Sequence, residues 1–157
     1  MIKYINGDLL ETDVEVIVHQ TNCYGVMGAG LALQIKKKYP DVFAEYYHMC
    51  KSAEKPIDLL GECLILPTDD GKYVANVFGE EKYWPKGEKH TQYSALEEGL
   101  KFLKLWMINH GVRTCGCPYL MGCGLAAGKW DVVREILEHI FKNEENIELT
   151  IVKYNKN

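Results

Sequence analysis

The sequence has no apolar run that approaches the ~20 residues needed to cross a membrane, and its first residues do not follow a signal-peptide pattern. It also has no excess of positive charge, since 18 Lys and Arg face 22 Asp and Glu and the net charge is −4. Broad nucleic-acid binding usually needs a basic surface, so this balance argues against it. No repeat, low-complexity tract or linker divides the 157 residues. We therefore expect a single-domain, monomeric, cytoplasmic protein that does not associate with membranes.

The six cysteines lack the CxxC spacing that is typical of zinc sites, so we expect no bound metal and a set of reduced, buried thiols. Cys23 and Cys123 differ from the others because each lies in a glycine-containing loop. A nucleophilic role for either thiol would require a neighbouring base and a lowered pKa, and the sequence indicates neither.

Two common phosphate-binding fingerprints are also missing. The loop GVMGAG at residues 25–30 spaces its glycines as GxxGxG, which does not match the GxGxxG pattern of dinucleotide-binding folds, and no GxxxxGK[ST] motif occurs. The sequence does contain an apolar strand that leads through this loop into a helix, and YLMGCG at 119–124 repeats the order. Backbone N–H groups and a helix N-terminus at the end of a strand favour an anionic ligand such as a pyrophosphate.

The apolar pattern predicts alternating strands and helices, with a hairpin turn at 68–71. This order predicts an α/β fold in which a mixed sheet of about six strands lies between helices on both faces. Strands are predicted over 2–5, 14–19, 62–66, 73–78, 112–120 and 147–154, and helices over 29–39, 41–53 (with Asp41 as cap), 91–110 and 130–142.

Three motifs resemble the macrodomain family: GDLL at 7–10, VIVHQTNCYGVMGAGLALQIKKKYP at 16–40 and PYLMGCGLAAGKW at 118–130. The resemblance covers essentially the whole chain. It is strongest to the branch that holds the terminal ADP-ribose protein glycohydrolase and the ADP-ribose-1''-phosphate phosphatases. It implies a three-layer α/β/α macrodomain over residues 1–157 that binds ADP-ribose, or an ADP-ribosylated small molecule, protein or nucleic acid, and that needs no cofactor.

The resemblance assigns the adenine end of the ligand to both ends of the chain. Asp8 matches the acidic residue that accepts a hydrogen bond from the adenine amino group, and the backbone N–H of Leu9 follows it. Tyr154 matches an aromatic residue that stacks on adenine. Two simpler roles stay open, since Asp8 can merely end the first strand and Tyr154 can merely pack.

The distal ribose is assigned to His19 and Asn22, which stand in the place of the family's Asn-Ala-Ala-Asn motif. Asn22 would contact the ribose hydroxyls or only form a local turn. His19 would act as a catalytic acid or base, or would be a buried structural histidine. The resemblance assigns the remaining walls of the ligand site to Gln20, Thr21, Val26, Met27, Gly28, Ala29, Gly30, Met121, Gly122, Cys123, Gly124 and Leu125.

The sequence departs from the glycohydrolase pattern at two catalytic positions. Ala126 stands where the family carries an aspartate after the second glycine loop. Lys82 lies near the place of the family's catalytic lysine, although Glu80 or Glu81 can occupy that place instead. We expect a hydrolase that removes a group from the distal ribose, with Asn22, His19 and Lys82 as candidate catalytic residues. A non-catalytic ADP-ribose reader and a regulator that binds another nucleotide, such as NAD, are the alternatives.

Overall fold

The structure is a computed structural model that describes residues 1–154, and residues 155–157 lie outside the described part. One six-stranded sheet has the order β1-β6-β5-β2-β4-β3. All neighbouring strands are parallel except β3 and β4, which are antiparallel, so the predicted mixed sheet is confirmed. The strands are β1 (Ile2–Gly7), β2 (Val16–Thr21), β3 (Cys63–Pro67), β4 (Tyr73–Phe78), β5 (Thr114–Pro118) and β6 (Glu148–Tyr154).

Four α-helices cover the two faces of this sheet and produce the predicted three layers. They are α1 (Gly30–Lys38), α2 (Pro40–Ser52), α3 (Tyr93–His110) and α4 (Trp130–Phe141), and short 3-10 helices span Leu9–Glu11 and Pro56–Leu59. Buried side chains of α3 and α4 share a core cluster with one face of the sheet. Side chains of α1 and α2 pack in two smaller clusters with the other face.

The helix boundaries follow local chemistry, with one correction. Gly111 ends α3 in the left-handed conformation (φ 67°), as its position after the apolar pattern predicts. Pro40 ends α1, but the same proline is also the first residue of α2. Asp41, which was expected to cap that helix, therefore lies inside its first turn, and Tyr39 is the N-cap. A proline fits this first position because its missing N–H would have had no helical partner.

The sheet is incomplete at its centre. β2 and β5 pair only through Val16 with Cys115 and Ile17 with Gly116. Each strand continues on its other side, since β2 stays paired with β4 as far as Thr21 and β5 stays paired with β6 as far as Pro118. The carboxyl ends of β2 and β5 therefore separate, and a gap between carboxyl ends of parallel strands is where α/β sheets bind ligands. None of the helices in residues 1–154 is long and apolar enough to cross a membrane.

Candidate functional site

A cleft of about 530 Å³ opens where β2 and β5 separate, within the range of roughly 300–1,000 Å³ that is usual for small-molecule sites. Four segments line it: the end of β2, the loop into α1, the segment after β4 and the loop after β5. The structure thus brings together two loops that are almost a hundred residues apart in the sequence. The predicted site residues that line the cleft are His19, Gln20, Thr21, Asn22, Val26, Gly28, Ala29, Gly30, Met121, Gly122, Gly124 and Leu125.

The N-terminus of α1 forms one wall of the cleft, and no side chain of residues 1–154 caps it. Ala29 is the N-cap residue, and the first turn contains no acidic side chain. Gly30 has a φ of 55°, which favours glycine, and a Cβ at Gly28 would meet only the Val26 side chain, at 3.6 Å. The wall therefore offers bare backbone N–H groups at the positive end of a helix dipole, which is a favourable place for a phosphate.

The loop after β5 forms the opposite wall and is held in a strained shape. Leu120 and Ala127 both have positive φ (66° and 58°), which is uncommon for residues with a Cβ. The carbonyl oxygen of Gly122 accepts hydrogen bonds from the Thr91 hydroxyl (2.6 Å) and the Gly128 N–H (2.9 Å). Strain of this kind persists only where surrounding contacts enforce it, and it is common in binding sites.

Gln20 ties this loop to β2. Its side-chain Nε2 donates to the Thr91 hydroxyl at 3.0 Å, and that hydroxyl in turn donates to Gly122. Its Oε1 is buried and has no hydrogen-bond partner within residues 1–154. A Cβ at Gly79 would clash with this oxygen, so a side chain at position 79 would displace the Gln20 amide. Gln20 therefore packs directly against Gly79 at the wall of the cleft.

Asn22 holds the turn that leads to α1. Its Oδ1 accepts from the Tyr24 N–H at 2.9 Å and lies 2.9 Å from the Tyr46 hydroxyl, while its Nδ2 donates to the Val26 carbonyl at 2.8 Å. The residue is 6% exposed and lines the cleft. The Val26 N–H also donates to Oδ1, at 3.4 Å, so the acceptor oxygen is used within the chain and one N–H of Nδ2 is left for a ligand hydroxyl. The local-turn role is observed, and ribose contact stays a prediction.

His19 is buried at the end of β2 and is paired with a neighbouring strand. Its Nε2 lies 2.7 Å from Oδ1 of Asn76, and the Asn76 Nδ2 donates to the Leu64 carbonyl. We assign the Nε2–H as the donor, because Oδ1 can only accept. Burial lowers the pKa of His19 from 6.5 to about 4, although the Asn76 hydrogen bond opposes this. The ring is therefore neutral at pH 7 and has no imidazolium proton to give to a leaving group.

The segment after β4 contributes residues that sequence analysis largely missed. Glu80, Tyr83 and Lys86 line the cleft, whereas Lys82 is exposed outside it, with its Nζ 5.9 Å from the Trp84 ring centroid. Burial raises the pKa of the Glu80 carboxyl from 4.5 to about 7. Glu80 was considered only as an alternative to Lys82, and no periodic signal in this loop distinguishes Tyr83 or Lys86.

The residues assigned to adenine lie beside the cleft rather than in its lining. Asp8 follows β1, and its Oδ1 accepts from the Leu10 N–H at 3.0 Å, while the side chain of Leu9 is buried. Tyr154 is 57% exposed at the end of β6, where it pairs with Gly7. Asp8 and Tyr154 therefore share one edge of the sheet. Their contact with adenine stays a prediction.

Met27, Cys23 and Cys123 do not line the cleft. Met27 and Cys23 are buried in the cluster beneath α2. Burial raises the pKa of the Cys23 thiol to about 12 and also raises the pKa of the Cys123 thiol, so neither is an activated nucleophile. Within residues 1–154 no group of three or more His, Cys, Asp or Glu side chains is arranged to hold a metal ion.

Comparisons with known proteins agree with this architecture. A family model described as Macro domain matches residues 18–137. The chain is 32% identical over 154 residues to a DNA ADP-ribosyl glycohydrolase of Mycobacterium tuberculosis, covering 96% of this chain but 42% of that relative. It is 33% identical to an ADP-ribose 1''-phosphate phosphatase of Debaryomyces hansenii, covering 87% of this chain and 92% of the relative.

The fold also matches a solved structure over its full length. The macrodomain of Mycobacterium tuberculosis DarG superimposes with a TM-score of 0.84 at 29% identity, covering 100% of this chain and 99% of that one. The family match covers most of the chain, including the carboxyl end of β2, the glycine loops and the cleft between them. This chain therefore belongs to the macrodomain family.

Proposed function

We propose that the chain binds ADP-ribose across the cleft and hydrolyses a group attached to the distal ribose. The observation that carries this proposal is the pair of facing walls, the uncapped N-terminus of α1 and the strained Leu120–Ala127 loop, which can hold a pyrophosphate between them. Two curated relatives named for hydrolysis of ADP-ribosyl or ADP-ribose phosphate compounds support the same conclusion. Because the chain spans 42% of the mycobacterial relative, the activity of that whole protein does not transfer directly.

The order of strands suggests how the ligand lies. From one edge, the carboxyl ends run from Asp8 and Tyr154 through the β5 loop to Asn22 and finally to Glu80. Four strand spacings of ~4.8 Å separate β1 from β4, a span of roughly 19 Å. We propose that adenine binds at Asp8 and Tyr154, the pyrophosphate between the two walls, and the distal ribose at Asn22.

The chemistry proposed for this site is attack by water on the substituted distal ribose. Ala126 provides no carboxylate, and Lys82 lies outside the cleft, so a lysine adduct resolved by an acid at position 126 has little support. The neutral His19 is available only as a hydrogen-bonding group at pH 7. Loops that are held in place before the ligand arrives would lower the barrier by fixing the ribose against the water.

Calorimetric titration with ADP-ribose is the first test of the site. We expect micromolar binding by the unmodified chain and none by Gly28→Glu, because that side chain would place bulk and negative charge on the phosphate wall. Gln34→Glu adds the same charge on the exposed face of α1 and should bind normally. The hypoxanthine analogue of ADP-ribose, which lacks the amino group, should bind more weakly if Asp8 accepts a hydrogen bond from it.

Release of ADP-ribose separates a hydrolase from a reader. The substrates are ADP-ribose 1''-phosphate, an ADP-ribosylated glutamyl peptide and single-stranded DNA that carries ADP-ribose on a base. The absence of a carboxylate at Ala126 favours the reader, and binding without turnover of any of these three substrates would establish it. Failure of the unmodified chain to bind ADP-ribose would reject both functions and leave another nucleotide, such as NAD, as the ligand to test.

A further inference from the structure

Glu80 is fixed at a junction of three segments that form the cleft. Its carbonyl oxygen accepts from the Cys23 Sγ at 3.4 Å, and the next carbonyl, that of Glu81, accepts from the Cys23 N–H at 2.8 Å. Glu80 also forms an isolated β-bridge with Thr91, whose N–H donates to the Ala126 carbonyl at 3.2 Å. The backbone of Glu80 is therefore held against both the Asn22 turn and the loop after β5.

Glu80 lines the cleft and is partly buried. Within residues 1–154 its carboxylate has neither a hydrogen-bond donor nor an ion-pair partner. Burial accordingly raises its pKa to about 7, and the nearby His90 only partly offsets this. A buried carboxylate without a partner destabilises a fold, so a structural role does not account for this residue. Groups placed in this way are frequent in sites that move protons.

We propose that the Glu80 carboxylate is the general base that activates the attacking water, an inference that rests on the proposed hydrolase function. The water oxygen forms a bond to the electrophilic atom, which is C1'' of a glycosidic adduct or the phosphorus of a 1''-phosphate. The bond to the leaving group breaks, and its electron pair departs with that group. One water proton passes to the Glu80 carboxylate and then to the leaving group, so Glu80 ends each cycle ionised.

The other candidate groups are less suited to this step. His19 donates its ring N–H to Asn76 and has a pKa near 4, far below neutral pH. Glu81 is absent from the cleft lining, and its Oε2 lies 3.5 Å from the Tyr24 hydroxyl. Lys82 is exposed outside the cleft.

The groups around Glu80 that can influence its titration are His90, Lys86 and Tyr83. His90 is buried, and its Nε2 donates to the Pro85 carbonyl at 2.7 Å, while Lys86 and Tyr83 share the lining of the cleft. A bound pyrophosphate would add negative charge and keep the carboxyl protonated to a higher pH. We therefore expect kcat to rise with pH through about 7 or slightly above, as Glu80 ionises.

The test compares Glu80→Gln and Glu80→Asp with the matched control Glu88→Gln, a change at an exposed glutamate of the same segment that does not line the cleft. On the substrate of the three above that the unmodified chain turns over, we expect Glu80→Gln to lower kcat by about 10²- to 10⁴-fold and to abolish the rise of kcat with pH. ADP-ribose should bind this variant as tightly as the unmodified chain or more tightly, because a negative charge near the pyrophosphate is removed. Glu80→Asp should recover part of kcat, and Glu88→Gln should be fully active.

Each contrary outcome has a separate meaning. Normal kcat in Glu80→Gln, or a rise with pH that persists in it, would overturn the role of Glu80 while leaving the hydrolase function intact. Weakened binding with unchanged kcat would also overturn it and would indicate a binding residue. If the unmodified chain binds ADP-ribose but hydrolyses none of the three substrates, the proposed hydrolase function fails and the role of Glu80 as a base fails with it.

Discussion

At the scale of single residues, His19 connects stability with pH. The folded chain keeps this histidine neutral down to a pH of about 4, whereas the unfolded chain takes up a proton near 6.5. The unfolded state therefore binds more protons between these values, and stability falls as the pH is lowered through this window. At 1.36 kcal/mol per pKa unit, the full effect below pH 4 is on the order of 3 kcal/mol.

We therefore predict that the free energy of unfolding of the native chain falls relative to that of His19→Gln as the pH is lowered from 6.5 to 4. Glutamine does not titrate, so the difference between the two proteins isolates the histidine. Urea unfolding at half-unit pH steps measures it. A difference that stays constant across this range would mean that the His19 ring is not shielded from protonation in the folded state.

Glu80 changes the stability with pH in the opposite direction to His19, so the two contributions must be separated. Its folded pKa of about 7 lies above the ordinary value of 4.5, so its contribution to stability is lost as the pH rises through that interval. The two groups thus act against each other between pH 4.5 and 6.5. Repeating the His19→Gln comparison in a Glu80→Gln background should leave the pH-dependent effect of His19 on stability unchanged, because no hydrogen bond joins the two residues within residues 1–154.

At the scale of elements, the loop after β5 depends on one hydroxyl. Thr91 is fully buried, donates to the Gly122 carbonyl and accepts from the Gln20 amide. We predict that Thr91→Val, which keeps the shape of the side chain, lowers the free energy of unfolding by about 1–3 kcal/mol, because the Gln20 amide loses its hydrogen-bond partner and the Gly122 carbonyl keeps only the Gly128 N–H. It should also weaken ADP-ribose binding, since the wall is no longer held in its strained shape.

Thr21→Val is the control for this prediction. Its hydroxyl makes only a long hydrogen bond, 3.4 Å, to the Val77 carbonyl, so the change should cost less stability. Hydrogen exchange of the loop amides distinguishes the two variants, and we expect faster exchange only in Thr91→Val. Equal exchange in both would show that the loop keeps its conformation without the Thr91 hydroxyl.

The elements themselves could largely be predicted from the sequence. Apolar runs such as that of β2 and the left-handed Gly111 at the end of α3 depend on short-range chemistry that the sequence displays directly. The strand pairing β1-β6-β5-β2 could not be derived from periodicity, because it joins segments that are distant in the chain. The two glycine walls of the cleft were predicted from the strand, glycine loop and helix order, and the macrodomain resemblance added the identity of the ligand. The position of Glu80 depends on backbone contacts with Thr91 and Cys23, which no local pattern reveals.

At the scale of the whole molecule, the reactivity of the six cysteines measures how well the core is shielded from solvent. All six are free, and Cys23, Cys50, Cys115 and Cys117 are buried. Burial raises the pKa of the partly exposed Cys63 thiol to about 12, so it contributes little thiolate at pH 8. Cys123 is also partly exposed and lies in the loop that forms one wall of the cleft, although its side chain does not line the cleft; burial raises its pKa too, so any advantage over the other thiols is one of access.

We predict that an aromatic disulfide reagent modifies one thiol of the folded chain quickly at pH 8 and all six in urea. The fast thiol should disappear in Cys123→Ser and should be slowed by saturating ADP-ribose, because a ligand held on the loop restricts access to it. Two or more fast thiols in the folded chain would contradict the packing of the core. A fast thiol that persists in Cys123→Ser would assign the reactivity elsewhere.

The short contact between β2 and β5 divides the sheet into two halves. On one side lie β1, β6 and β5, and on the other β2, β4 and β3. Within residues 1–154 the strand pairs that join these two halves of the sheet are Val16–Cys115 and Ile17–Gly116 alone, next to the hydrogen bonds between Glu15 and Thr114. A ligand that binds both to the helix that follows β2 and to the loop that follows β5 would hold the two halves of the sheet together. At a hundred-fold excess over its Kd it would add about 2.7 kcal/mol of stability. Much of the resulting protection from local opening would then appear in the strand ends on either side of the ligand.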